Sequence, residues 1–169
     1  MKIKILILTI ATLFGIQTLS AQSVEKQITA IRAEVTAINK NAKNYKKTTK
    51  DVEGVSLEGT EATYFVSGKG LRKITAKMYG ETYNATLELY YQGEDLIFAY
   101  QKLNKYNGTI TMKNLKVIKV EESRLYFAGA KMIRYLFGKK QIKADSTEFN
   151  EEEYRMIELS DMFKAAYSK

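Results

Sequence analysis

Three segments share one plan: "TYFVSGKGLRKI" at 63–74, "LYYQGEDLIFAY" at 89–100 and "LYFAGAKMIRYL" at 125–136. Each runs two adjacent aromatics into a Gly-centred turn and returns as an apolar strand. A Gly in the first central place of a two-residue loop suits a type II′ turn, whose twist matches that of paired strands. Loops this short join only antiparallel neighbours, so the middle of the chain is committed to consecutive hairpins. In the second unit a loop at Gly93-Glu94 sets Tyr91 opposite Leu96, Leu89 opposite Phe98 and Leu87 opposite Tyr100. These six make one apolar face. Gln92 with Asp95, Tyr90 with Ile97 and Glu88 with Ala99 make a mixed face. The third unit turns through Gly129-Ala130 and the first through Gly68-Lys69. "YGETYN" at 79–84 and a type I′ signal at Asn107-Gly108 add further turns. The runs between turns predict about seven strands, at 47–53, 60–67, 71–79, 85–92, 95–103, 114–128 and 131–138. "EES" at 121–123 interrupts the alternation of the sixth, as a bulge would.

Helical periodicity flanks this region. Val24, Ile28, Ile31, Val35, Ile38, Ala42 and Tyr45 recur at spacings of four and three, which predicts an amphipathic helix of about 23 residues from Ser23. Ser23 suits its N-cap and Glu25 its first turn. The same stripe fits a short coiled coil or one face buried against a sheet. Lys40, Lys43, Lys46, Lys47 and Lys50 follow without an acid among them and read as solvated cations near a helix C-terminus. Asn150 with Glu153 three residues on resembles a capping box, and Met156, Leu159, Phe163 and Ala166 supply the apolar stripe of a last helix. The expected fold class is α+β: a long N-terminal helix packed on a curved antiparallel meander, with a C-terminal helix.

The start of the chain follows another pattern. Lys2 and Lys4 precede an apolar run from Ile5 to Ile16, which closes on Ser20-Ala21-Gln22. Basic, then apolar, then small is the layout of a secretory signal peptide. The run is about 12 residues, short of the roughly 20 that span a bilayer. The expectation is a signal peptide over 1–21, a single α+β domain over 22–169, a periplasmic or secreted location and no stable membrane anchor after cleavage.

The chain has 169 residues and no Cys, so its core must hold it without disulfides. It also has no His, which removes His-based acid–base catalysis, Ser-His triads and most zinc sites. Of the remaining carboxylates, Glu121 and Glu122 are neighbours on a strand and point to opposite faces, and Glu94-Asp95 falls in a turn. "SGKG" at 67–70 lies between two strands and opens no helix, so it is no phosphate cradle. No catalytic, metal or cofactor site is expected. The formal charge is +8, or +6 once Lys2 and Lys4 are removed. That favours acidic partners or anionic surfaces without naming one. Lys and aromatics interleave on the strands, but one aromatic of each adjacent pair belongs to a core, and an export signal points away from nucleic acid.

The aromatic-aromatic-x-Gly units resemble those of small, uncharacterised secreted bacterial β-meander proteins and, more remotely, MORN-like hairpin repeats. The likeness covers about 12 residues in each of three places, and the regular spacing and second Gly of MORN repeats are missing. It implies an exported β-meander domain and carries no catalytic residues. In element order the chain also resembles cystatin-like folds, where a long helix crosses an antiparallel sheet; a fold alone assigns no function. The expected function is an exported, non-enzymatic protein-interaction module. Its partner would meet an exposed sheet face carrying Tyr64, Tyr90 and Tyr126, or an unprotected edge strand. The alternative is a carrier of an apolar ligand between the sheet and the first helix.

Overall fold

The computed structural model describes residues 6–168, with side chains from residue 23. The signal-peptide expectation over 1–21 lies outside the residues whose side chains are described. Helix α1 (Leu6–Asn41) ends in a single 3-10 turn over Ala42–Asn44 and leads into eight strands. These are β1 (Lys46–Asp51), β2 (Thr60–Ser67), β3 (Gly70–Gly80), β4 (Tyr83–Gln92), β5 (Asp95–Tyr106), β6 (Val117–Ala128), β7 (Lys131–Phe137) and β8 (Lys140–Gln141). Helix α2 (Thr147–Ser168) closes the chain. The strands form one antiparallel sheet in sequence order, the meander that the short connections predicted. The α+β expectation holds, with a two-residue eighth strand added beyond the seven.

Both faces of the sheet are covered. On one, Tyr64, Ile74, Leu87, Leu89, Tyr91, Leu125 and Phe127 meet Phe149, Met156 and Phe163 of α2. On the other, Tyr90, Ile97 and Tyr126 meet Ile28, Ile31 and Ile38 of α1. The heptad stripe therefore packs on a sheet, and Val24, Val35 and Tyr45 complete it at half-buried positions.

The three hairpins turn where Gly placed them. Gly93 has φ 62° with no positive φ at Glu94, the type II′ form, whereas Gly129 and Ala130 both lie near φ 60°, at 57° and 63°. In the first unit the positive φ, 91°, falls on Gly70. Beyond each turn the returning strand carries one extra residue. Val66 pairs with Leu71 and Phe65 with Lys73, so Arg72 is skipped. Tyr91 pairs with Leu96 and Tyr90 with Phe98, skipping Ile97. Phe127 pairs with Met132 and Tyr126 with Arg134, skipping Ile133. A bulge puts two consecutive residues opposite one and breaks the alternation of faces. Arg72-Lys73, Ile97-Phe98 and Ile133-Arg134 thus all turn toward α1 and form its bed.

These bulges correct the expected register. Tyr91–Leu96 and Gln92–Asp95 stand, but Leu89 pairs with Ala99, Tyr90 with Phe98 and Glu88 with Tyr100. Phe98 leaves the α2 face and joins Tyr90 and Tyr126, at ring separations of 5.7 and 4.9 Å. "EES" at 121–123 pairs regularly with Leu103, Lys102 and Gln101; the irregularity of β6 sits at Ile118 instead. Asn107-Gly108 makes no type I′ turn, since neither residue has positive φ. It opens a longer connection, 107–116, in which Asn107 Oδ1 accepts the Lys116 N–H at 2.8 Å. Ser23 lies within α1 and does not cap it. Helix α2 begins three residues before the expected Asn150: Ser146 Oγ accepts the Phe149 N–H at 3.3 Å, an N-cap bond. Lys50 is not solvated. Its Nζ donates to the carbonyls of Ala166 and Tyr167 at 3.1 and 3.0 Å, closing the C-terminal end of α2.

The two sheet edges differ. β1 is open and blunted only by its lysines. Along β7, β8 pairs with Leu136 and Phe137, Ile142 N–H donates to Tyr135, and Glu153 of α2 accepts the Met132 N–H at 2.6 Å.

Candidate functional site

The three tyrosines expected on an exposed face are buried. Tyr64 faces α2, under the ring of Tyr167 at 4.9 Å, and its hydroxyl has no partner among the described residues. Tyr90 and Tyr126 face α1 on the other side of the sheet, so the three share no surface. Sequence alternation marked one mixed face; it could not show that α1 covers it.

What lies beneath α1 is a set of polar clasps flanking the Ile stripe. Glu25 binds Arg134 at 2.5 Å, Arg32 stacks over Tyr126 at 5.5 Å, and Glu34 pairs with Arg72. Lys73, 7% exposed, donates to Asn39 Oδ1 at 3.0 Å and to the Tyr90 hydroxyl at 2.9 Å, with Glu88 at 3.2 Å. The Tyr90 hydroxyl donates to Glu88 at 2.5 Å. Burial pushes the Tyr90 phenol far up, and Glu88 beside it adds to that. Apart from Arg32, which lies over the Tyr126 ring, each charged member has a counter-charge, and the network locks the helix onto the sheet.

The opposite face holds two adjoining hollows. α2 does not reach the end of the sheet where β4 begins and β5 ends. Tyr83, Ala85, Gln101, Leu103 and Lys105 share the α2 face there by register. Two hollows of about 480 and 240 Å³ open between this strip and α2, with Tyr83, Gln101 and Arg155 as common walls. The outer one reaches Leu103, Lys105, Tyr106 and Ile118; the inner one reaches Met78, Ala85, Leu159 and Met162. Gly80 shapes this end: a Cβ there would lie 2.3 Å from the Tyr83 ring, so only Gly lets that ring fold over the strand.

Charge in the groove is arranged unevenly. Arg155 donates to both oxygens of Glu152, at 2.6 and 2.8 Å, and to Gln101 Oε1 at 2.6 Å. Its charge is therefore matched from within α2. At the mouth, Glu121 is shared by Lys119 at 2.8 Å and Lys105 at 3.1 Å. The hydrogen bond from Lys119, the largest effect, holds the Glu121 carboxyl below the usual carboxylate range against the opposing effect of burial, and Lys105 adds a smaller contribution. Two ammonium groups against one carboxylate leave a net positive mouth, above a floor where Met78, Ala85, Leu159 and Met162 lie beside Gln101, Arg155 and Glu158. Glu121 and Glu122 do point to opposite faces, since Glu122 pairs with Arg124 on the α1 side. Among the described residues no three of His, Cys, Asp and Glu gather as a metal cage.

Sheet, helices and groove together define an antiparallel α+β meander clasped by one helix on each face, with a groove beside the second helix. Compared with known protein families, with curated proteins and with solved structures, the chain has no match in any of the three.

Proposed function

We propose that the protein is an exported, non-enzymatic carrier whose ligand has an apolar body and an anionic head. The supporting observation is the groove itself: Tyr83, Leu103, Met78, Leu159 and Met162, with Gln101, Arg155 and Glu158 among them, line a half-covered trough that ends at the Lys105–Glu121–Lys119 cluster. Its size lies in the ordinary range of small-molecule sites, roughly 300–1,000 Å³. The body would lie against the apolar side chains of the floor and the head would take the surplus ammonium charge at the mouth. The proposed site lies beside α2; the cleft beside α1, about 600 Å³, sets Ala37, Ile38 and Tyr45 among Glu34, Asn41, Asn44, Lys69 and Arg72, and its Arg72 is already paired with Glu34. An interaction module working through Tyr64, Tyr90 and Tyr126 loses its surface to the two helices. Export rests on the leader residues, and N-terminal sequencing of protein recovered outside the cytosol tests it: cleavage after Ala21 supports it, and an intact Met1 in the cytosol opposes it.

The ligand reading is tested with a dansyl-labelled long-chain fatty acid, followed by its fluorescence. Saturable binding is expected. Leu103→Trp, which fills the trough, is expected to weaken it at least tenfold with an unchanged melting temperature. Absence of binding, or equal binding by the variant, refutes the carrier reading.

A further inference from the structure

Large apolar side chains are exposed mostly at one end of the molecule. Of the nine strongly exposed among the described residues, Ile110, Met112, Val117, Ile118 and Val120 sit on the β5–β6 connection and the first residues of β6. Ile118 is 67% exposed. Exposed apolar groups gathered on one element mark a contact surface, whereas scattered single ones do not. The Gly-centred turns at the other end of the sheet expose Gly68, Lys69, Gly93, Glu94, Gly129 and Ala130.

This projection is held in shape. Asn107 bridges its two legs, its backbone N–H donating to the Lys116 carbonyl at 3.0 Å and its side-chain Oδ1 accepting the Lys116 N–H at 2.8 Å. Ile110 N–H donates to the Glu81 carbonyl at 2.8 Å, tying the loop to the β3–β4 turn. Met112 folds over Gly108, where a Cβ would meet its sulfur at 2.6 Å. Ile110 and Met112 are thus presented outward without a large ordering cost on contact.

Charge identifies the occupant. Residues 102–120 carry five lysines, Lys102, Lys105, Lys113, Lys116 and Lys119, of which Lys105 and Lys119 share Glu121 just beyond. Lys113 and Lys116 are exposed beside the apolar tip and make no ion pair among the described residues. Glu53, Glu58 and Glu81 lie on the β1–β2 and β3–β4 connections, and the β5–β6 connection itself, 107–116, carries Lys113 and Lys116 and no acid. An apolar tip ringed by lysines matches a bilayer with anionic headgroups, the tip entering the interface while the lysines meet phosphates. We propose that the β5–β6 connection docks the protein on anionic membrane surfaces. This surface shares Ile118, Lys105 and Lys119 with the mouth of the groove, while its tip, Ile110 to Lys116, lies outside the groove, and its test needs no groove ligand.

The chain has no Cys, so a single introduced thiol is unique. Thr111→Cys in the full chain, labelled with an environment-sensitive dye, reports the tip; Glu94→Cys reports the opposite end. Adding vesicles of phosphatidylglycerol mixed with phosphatidylcholine is expected to blue-shift the dye at 111 and leave that at 94 unchanged. High salt is expected to suppress the shift. Lys113→Gln with Lys116→Gln is expected to weaken it about thirtyfold, as two lysines near an anionic surface contribute. Any vesicle binding by the apolar leader is common to all variants and does not move the dye at 111 selectively. Equal shifts at both positions, an undiminished shift on pure phosphatidylcholine, or no shift on any vesicle would each overturn the proposal. So would a shift with soluble polyglutamate and none with vesicles, which would assign the surface to an acidic protein.

Discussion

At the scale of single residues, Tyr90 shows how one bulge redistributes importance. Read by strict alternation, Tyr90 is an exposed anchor and Phe98 a core residue. With Ile97 looped out of register, both face α1, and Tyr90 is fully buried while Phe98 is half-buried. Tyr90→Ala should therefore be the costlier change, about 3–5 kcal/mol, because it opens a cavity and strips Lys73 of a hydrogen-bond acceptor. Phe98→Ala should cost about 2 kcal/mol, the loss of partial burial and two ring contacts. Tyr90→Phe isolates the hydroxyl and should cost about 1–3 kcal/mol. Urea denaturation of the three variants orders them; a Phe98→Ala loss exceeding that of Tyr90→Ala would place the faces the other way round.

At the scale of elements, α1 owes its seat to the three bulges and to its polar clasps. Glu25 is the clasp nearest the start of the described side chains. Its hydrogen bond to Arg134 holds its carboxyl below the ordinary 4.5. A carboxylate depressed in the folded state stabilises fully above its unfolded value and ceases to as pH falls through its lower folded value. The difference in urea midpoint between the parent and Glu25→Gln should thus be constant near neutrality and shrink as pH drops below about 4.5. A difference that persists in strong acid would mean the pair does not help hold the helix. The turns and the stripe of α1 could be read directly, because Gly-centred loops and a period of about 3.6 are local properties. The bulges could not be assigned, although the sequence does carry their trace. Leu96-Ile97-Phe98 and Met132-Ile133 are unbroken apolar runs just where alternation should resume. The groove was hidden for a different reason: Gln101 and Arg155 meet across a distance in sequence that no pattern bridges. Lys50 misled because a lysine in a basic run gives no sign that the carbonyl end of a distant helix will reach it.

At the scale of the whole molecule, a single open sheet of eight strands has two lateral borders, and the chain treats them unequally. β1 relies on its own lysines, whereas α2 lends Glu153 to the backbone of β7. Glu153→Ala frees the Met132 N–H and should produce concentration-dependent association in light scattering. Glu153→Gln keeps an acceptor in place and should behave like the parent. If both variants stay equally dispersed, the Glu153 contact is not what guards that border. Intact, it makes the molecule a chain terminator. Fibril growth by backbone pairing needs every subunit to be divalent, with one strand to receive and another to offer. A subunit with only β1 to offer is monovalent. Two copies joined through it form a closed pair that has nothing left to extend.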